Sequence, residues 1–174
     1  MPKSLEYFFD VICPYSWIGF KMILREKSCL ERSGFNIRFT PLRLSTLLKT
    51  NHELLSDCDS FRVQLLLNLI RIERPELMEK AMEITWSLGL EFRQADDLIS
   101  RIEQHSNRKD LRNASIRALA AGALLTPFTY LTNGENLNYG FSGIVLLQYL
   151  NFIINCSELF GNVASSSQQE TTEI

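Results

Sequence analysis

The sequence predicts an α/β fold in which a strand–helix–strand unit and a strand–strand–helix unit are separated by an all-helical insertion. Three observations predict it. Two apolar strand-like runs, Leu5 to Ile12 and Phe35 to Leu42, flank a helical stretch from Tyr15 to Arg32. From Leu44 to Ala123 the apolar periodicity is helical. Strand signals then return at Phe128 to Thr132, followed by a hairpin signal, a second short strand and an apolar final helix.

Each element has a local reason. Leu5 to Ile12 is compact and rich in aromatics, as expected of a strand buried on both faces. Tyr15 to Arg32 offers Trp17, Ile18, Met22, Ile23 and Leu30 for an apolar face, and Ser33-Gly34 is a C-terminal stop. In the next run Phe35, Ile37 and Phe39 alternate with Asn36, Arg38 and Thr40, which is the period of a strand. Strand, helix and strand in this order make a right-handed crossover between parallel strands. Asn51 to Ser60 is a polar break. Phe61 to Arg74 carries Leu65, Leu66, Leu69 and Ile72 at helical spacing, and Pro75-Glu76 opens a further helix ending near Gly89. Gln94 to Glu103 and Asp110 to Leu125 read as two more helices. Asn133-Gly134 is a two-residue hairpin signal between Phe128 to Thr132 and the strand beginning at Asn138. Gly143 to Asn155 reads as the last helix, and the Ser/Gln/Thr-rich segment 161–174 as a disordered tail.

This βαβ–ββα order is that of a thioredoxin-like fold with an all-helical insertion. Residues 1–43 and 124–160 are expected to form the thioredoxin-like part and residues 44–123 the insertion. At 174 residues and 45% hydrophobic content, the chain has ample material for such a core. A net charge of −2 gives no basic footprint and argues against nucleic acid as a partner. No apolar run is long enough to span a bilayer, since Ile144 to Ile154 is interrupted by Gln148 and Asn151. The opening residues lack a signal-peptide pattern, so an intracellular protein with reduced thiols is expected.

The chemistry concentrates at Cys13-Pro14-Tyr15-Ser16. A cysteine at the step from strand to helix sits where free backbone N–H groups and the helix dipole favour a thiolate. Pro14 fits the first helical turn, which needs no N–H. Ser16 stands where a second cysteine would complete a CxxC redox pair, leaving a one-thiol site. The other cysteines, Cys29, Cys58 and Cys156, have neither metal nor disulfide spacing, and His52 and His105 stand apart in polar surroundings, so no metal is expected. The second chemical feature is Thr126-Pro127, just before the third strand. A cis bond there would leave the backbone of Thr126 free to pair with an extended thiol peptide.

The block from Phe9 to Phe20 resembles the opening motif of the kappa-class glutathione transferases and their DsbA-like relatives, among them the 2-hydroxychromene-2-carboxylate isomerases. Pro75 to Ala81, ending near Trp86, and Gly122 to Phe128 resemble later parts of the same pattern. The resemblance runs from about Leu5 to Leu150 and marks an abbreviated, divergent member with shortened connecting segments. It implies an enzyme that takes glutathione as substrate and conjugates its thiol to a small-molecule electrophile, with Cys13 and Ser16 as catalytic residues. Thr126, Pro127, Ser142, Pro14, Tyr15 and Trp17 would bind glutathione, Thr126 holding its cysteinyl backbone. It also implies a mitochondrial or peroxisomal setting, or the cytoplasm where no targeting signal operates, and leaves a homodimer open.

The chain departs from the family pattern at instructive places. Cys13 replaces the usual serine, whose hydroxyl stabilises the bound thiolate. Phe141-Ser142 matches a Ser-Asp pair that grips the γ-glutamyl group, so a charge-assisted contact of ~1.5–3 kcal/mol is missing. An asparagine expected after the second strand aligns loosely with Glu53. Two alternatives therefore stand beside glutathione transfer. One is a one-thiol, glutathione-dependent thiol-disulfide oxidoreductase using Cys13; the other is a non-catalytic, trimmed family member.

Overall fold

The computed structural model describes residues 3–48, 60–88, 101–132 and 138–144. β1 (Lys3–Phe9), α1 (Pro14–Arg32) and β2 (Phe35–Pro41) form the expected crossover unit. The helices α2 (Leu44–Leu48), α3 (Phe61–Glu73), α4 (Met78–Leu88) and α5 (His105–Ala120) follow, and β3 (Phe128–Thr132) and β4 (Asn138–Ser142) complete the sheet. Strand order is β2-β1-β3-β4. β1 runs parallel to β2, with Leu5 opposite Ile37 and Phe9 opposite Pro41. It runs antiparallel to β3, with Tyr7 opposite Thr129, and β3 is antiparallel to β4. The thioredoxin-like arrangement and its helical interruption are thus observed. The Asn133-Gly134 turn, the final helix beyond Ile144, the tail, His52, Cys58, Cys156 and most of the Gln94 to Glu103 stretch lie outside the described residues.

The second half of β1 is buried because both of its faces are covered, while Lys3, Ser4 and Glu6 are half-buried. Leu5, Tyr7 and Phe9 point into one cluster with Phe20, Ile23 and Leu30 of α1, Leu65 to Leu67 of α3 and Met82 of α4. Phe8 points the other way, into a second cluster with Leu42, Leu47, Ala118, Ala123 and Phe128. Alternation along a strand gives the two directions, and helices on each side supply the partners.

Several boundaries differ from the sequence reading for physical reasons. β1 stops at Phe9 rather than Ile12, because Asp10 leaves the ladder and Val11-Ile12 form a turn. On α1 the buried face is Ser16, Gly19, Phe20, Ile23 and Leu30, while Ile18 is turned outward. In α3 seven consecutive residues, Gln64 to Ile70, are buried, so this helix is enclosed rather than amphipathic, and Ile72 is exposed. Pro75–Leu77 forms a 3-10 turn before α4.

α5 starts at His105, earlier than its apolar residues suggest, because the polar Asn107 anchors it. The Asn107 side-chain amide donates to the carbonyls of Leu65 (2.9 Å) and Ile102 (2.7 Å), and its oxygen accepts from Asn68 at 2.8 Å. The helix ends at Ala120, not Leu125. Gly122 takes a φ of +93°, and the Ala123 N–H returns to the Ala118 carbonyl at 2.9 Å. That early stop frees residues 123–127 to form the loop beside Cys13.

Candidate active site

The site begins where β1 gives out. Past Phe9 the chain turns through Asp10, Val11 and Ile12, and the Cys13 N–H donates to the Asp10 carbonyl at 3.1 Å. Cys13 then caps α1 with extended backbone angles (φ −89°, ψ 111°), and Pro14 occupies the first helical turn. The Cys13 side chain makes no capping hydrogen bond to the helix N–H groups. Its thiol instead donates to the carbonyl of Thr126 at 3.2 Å, across 113 residues of sequence. The Thr126–Pro127 peptide is cis, as the sequence suggests. Cys13, Thr126 and Pro127 are therefore brought together, all three buried, with Cys13 at 6% exposure.

The loop carrying Thr126 is held from below by the Gly143 N–H, which donates to the Pro127 carbonyl at 2.7 Å. It is also packed tightly against β4. A side chain at Gly140 would place its Cβ 2.8 Å from the Phe128 ring and 2.9 Å from the Ala121 carbonyl oxygen, so only glycine fits there. Ser142 lies at the end of β4, exposed, and its hydroxyl accepts the Leu124 N–H at 3.5 Å. It thus touches the loop that leads to Thr126.

The remaining expected residues divide. Pro14 and Tyr15 are exposed at the helix start, with Tyr15 at 58%. Trp17 is half-buried against Trp86 (5.2 Å between centroids) and Phe20 (5.7 Å), with the Lys21 ammonium 4.6 Å above its ring. Ser16 faces inward; it is buried, and its hydroxyl accepts the Asp10 N–H at 3.4 Å. Its hydroxyl and the thiol of Cys13 therefore have separate partners.

Three residues that local reading gave no role also build the corner. Trp86 of α4 donates its indole N–H to the Val11 carbonyl at 3.0 Å, two residues before Cys13. Asp10 is completely buried. Tyr7 of β1, also completely buried, donates its hydroxyl to the Ser16 carbonyl at 2.8 Å, in the first turn of α1. An acidic residue inside an apolar run was the one local signal for Asp10, Trp86 was marked only as the end of a motif resembling the family pattern, and Tyr7 carried none beyond its apolarity.

Burial, and then the neighbouring Cys13 thiol, push the ionisation of Tyr7 far above the ordinary phenol range, against a smaller lowering by the Phe20 backbone N–H. The phenol is thus a fixed donor at neutral pH. Because its folded value exceeds the unfolded value of about 10, its stabilising contribution is complete below about pH 10 and is lost as pH rises further. In urea melts the Tyr7→Phe variant is expected to lose about 1 kcal/mol near neutrality, from the missing bond. Above pH ~10 its stability should fall less steeply than that of the wild type, by up to ~1.4 kcal/mol per pH unit. Parallel slopes would show that Tyr7 ionises as readily folded as unfolded.

Among the described residues, no three His, Cys, Asp or Glu side chains gather into a metal-binding group, and no helix is long and apolar enough to cross a membrane.

Sheet order, helical interruption, a cysteine at the start of α1 and a cis proline facing it define a thioredoxin-like fold with a helical insertion. No protein-family model matches the chain. Its sequence is 20% identical to glutathione S-transferase kappa 1 of Homo sapiens over 209 aligned positions, covering 86% of this chain and 91% of that protein. Its fold matches that of DsbA2 from Pseudomonas aeruginosa (TM-score 0.62, 14% identity, 87% of this chain and 88% of that one). It also matches a 2-hydroxychromene-2-carboxylate isomerase (TM-score 0.57, 10% identity, 97% and 100%). The likeness read from the opening motif therefore holds as a distant sequence similarity to a kappa-class protein and a shared fold with DsbA-like structures.

Proposed function

We propose that the protein is a glutathione transferase of the kappa type, working at the corner formed by Cys13 and Thr126–Pro127. The observation that carries this reading is the approach of the Cys13 sulfur to the Thr126 carbonyl, 3.2 Å apart, beside the cis proline. In this reading glutathione lies extended along Thr126, so that its own sulfur meets the Cys13 thiol and the N–H groups opening α1. Those donors stabilise the glutathione thiolate. The thiolate attacks an electrophilic carbon, a carbon–sulfur bond forms, the leaving group departs with the bonding pair, and the thiol proton passes to water. Pro14, Tyr15 and Trp17 form one wall of the site, Ser142 stands toward the γ-glutamyl end, and Ser16 shapes the corner from inside. No acidic residue accompanies Ser142, so weak binding is expected.

A second reading is favoured by one specific observation: the group at the corner is itself a thiol, free of the helix N–H groups. Cys13 would attack the glutathione sulfur of a mixed disulfide, taking glutathione onto itself and releasing the other thiol. A second glutathione would then attack that bond, releasing glutathione disulfide and restoring Cys13. Ser16 cannot perform this resolution.

Both readings require glutathione binding. A glutathione titration followed by thermal unfolding is expected to raise Tm progressively, by ~1.4 kcal/mol of added stability at ten times Kd and about as much again for each further tenfold. A flat titration, together with inactivity in conjugation and disulfide assays, would leave only the non-catalytic alternative.

A further inference from the structure

We propose that Asp10 is a positioning residue for Cys13: its buried carboxylate clamps the start of α2 and of α3 to the loop that carries the thiol, and so holds the sulfur on Thr126. The proposal rests on Cys13 being the working group of the site, as above, but not on which reaction it serves.

Asp10 is 0% exposed, yet each of its oxygens meets donors only. Oδ1 accepts from the Gln64 side-chain amide at 2.8 Å and from the Ile12 N–H at 3.3 Å. Oδ2 accepts from the Leu44 N–H at 2.7 Å and from the Ser60 hydroxyl at 3.2 Å. Each oxygen thus accepts two hydrogen bonds. Among the described residues no cation forms an ion pair with it. A fully buried acidic side chain is a costly way to end a strand, since an apolar residue would fill the same space. What the carboxylate accomplishes is connection. Leu44 opens α2, Ser60 and Gln64 open α3, and Ile12 is the residue before Cys13. The backbone of Asp10 reaches in the opposite direction, its carbonyl to the Cys13 N–H and its N–H to the Ser16 hydroxyl. One residue therefore ties the insertion, the turn and the first turn of α1 together within three positions of the thiol.

The isosteric Asp10→Asn variant tests this selectively. Gln64 Oε1 is buried without a hydrogen-bond partner, so the Gln64 amide can turn over and accept from an asparagine NH2 in place of Oδ1. The Ile12 N–H then loses its acceptor, and the turn beside Cys13 loosens while the rest of the clamp persists. Alkylation by iodoacetamide is measured peptide by peptide by mass spectrometry, with the half-buried Cys29 as internal reference. Cys13 alkylation is expected to rise roughly tenfold, as a local opening becomes easier, with Cys29 unchanged. Turnover in whichever glutathione assay is active should fall, giving opposite signs for exposure and catalysis. A purely structural role would raise both cysteines together, in step with global unfolding. A folded Asp10→Asn protein whose Cys13 rate stays within about twofold of wild type overturns the proposal, as does a joint rise of both cysteines. If Asp10→Asn does not fold, Gln64→Leu removes the same clamp from α3, and the same Cys13-selective rise is required of it. Alkylation needs no glutathione, so this result stands apart from the failure or success of the transferase reading.

Discussion

Cys13→Ser is expected to abolish disulfide exchange, lowering reduction of small mixed disulfides by at least ~10³-fold, because a hydroxyl is not ionised at neutral pH and does not attack sulfur. Conjugation of glutathione to a chlorodinitrobenzene-type electrophile should survive the same change. Serine keeps a donor at the N-terminus of α1, and an O–H donates better than an S–H. Cys13→Ala removes the donor altogether and should cost conjugation ~10²–10³-fold, the scale of one lost donor to a developing or bound anion. The pair of variants thus separates the two uses of the corner. If serine and alanine depress conjugation equally, Cys13 does not act as a donor to bound glutathione. If both variants leave both activities intact, the reaction is not at this corner. The structure gives the test its sharpness, since among the described residues the thiol donates to the Thr126 carbonyl at 3.2 Å, and Ser16 is committed elsewhere.

Phe20→Ala should be among the most destabilising single changes in the chain, at ~3–5 kcal/mol. Phe20 is completely buried, its ring centroid lying 5.2 Å from Phe39, 5.7 Å from Trp17 and 5.9 Å from Trp86. It thus joins α1, β2 and α4 in one aromatic cluster behind the site. Its removal leaves a cavity that three large rings cannot fill without leaving their rotamers. At roughly 2–4 °C per kcal/mol for a chain of this size, Tm should fall by ~6–20 °C. The outward-facing Ile18→Ala, two residues away on the same helix, should stay within about 0.5 kcal/mol of wild type. Equal costs for the two would mean that α1 is rotated about its axis from the orientation described here. Because Trp86 also holds the Val11 carbonyl, Phe20→Ala is expected to disturb the Cys13 turn as well as the core.

Much of this architecture is legible in local patterns. Period-two and period-3.6 apolarity placed β1, α1, β2, α3, β3 and β4 to within a few residues. Cys13-Pro14 marked a helix start, and Thr126-Pro127 marked the loop that faces it. The errors occurred where polar residues do structural work inside the protein. Asn107 starts α5 among charged neighbours, and Gln64 and Asn68 lie in the enclosed helix α3, so hydrophobic periodicity passes over all three. Ile18 and Ile72 fit apolar stripes but face outward, because periodicity fixes which residues share a face and not which face the tertiary neighbours cover.

The sequence by itself determined the element types, the parallel crossover, the helical interruption and the presence of a single sulfur at a helix start. These follow from local sterics, side-chain alternation and turn chemistry. Only the tertiary structure decided where that sulfur points and what holds it. Its acceptor comes from Thr126, its turn is pinned through Asp10 by Leu44, Ser60 and Gln64, and its helix is braced by Tyr7 and Trp86. The clamp and the acceptor bring together residues 34 to 113 positions apart. No local preference encodes such pairings, which form only when both faces of β1 are covered and the chain has closed on itself.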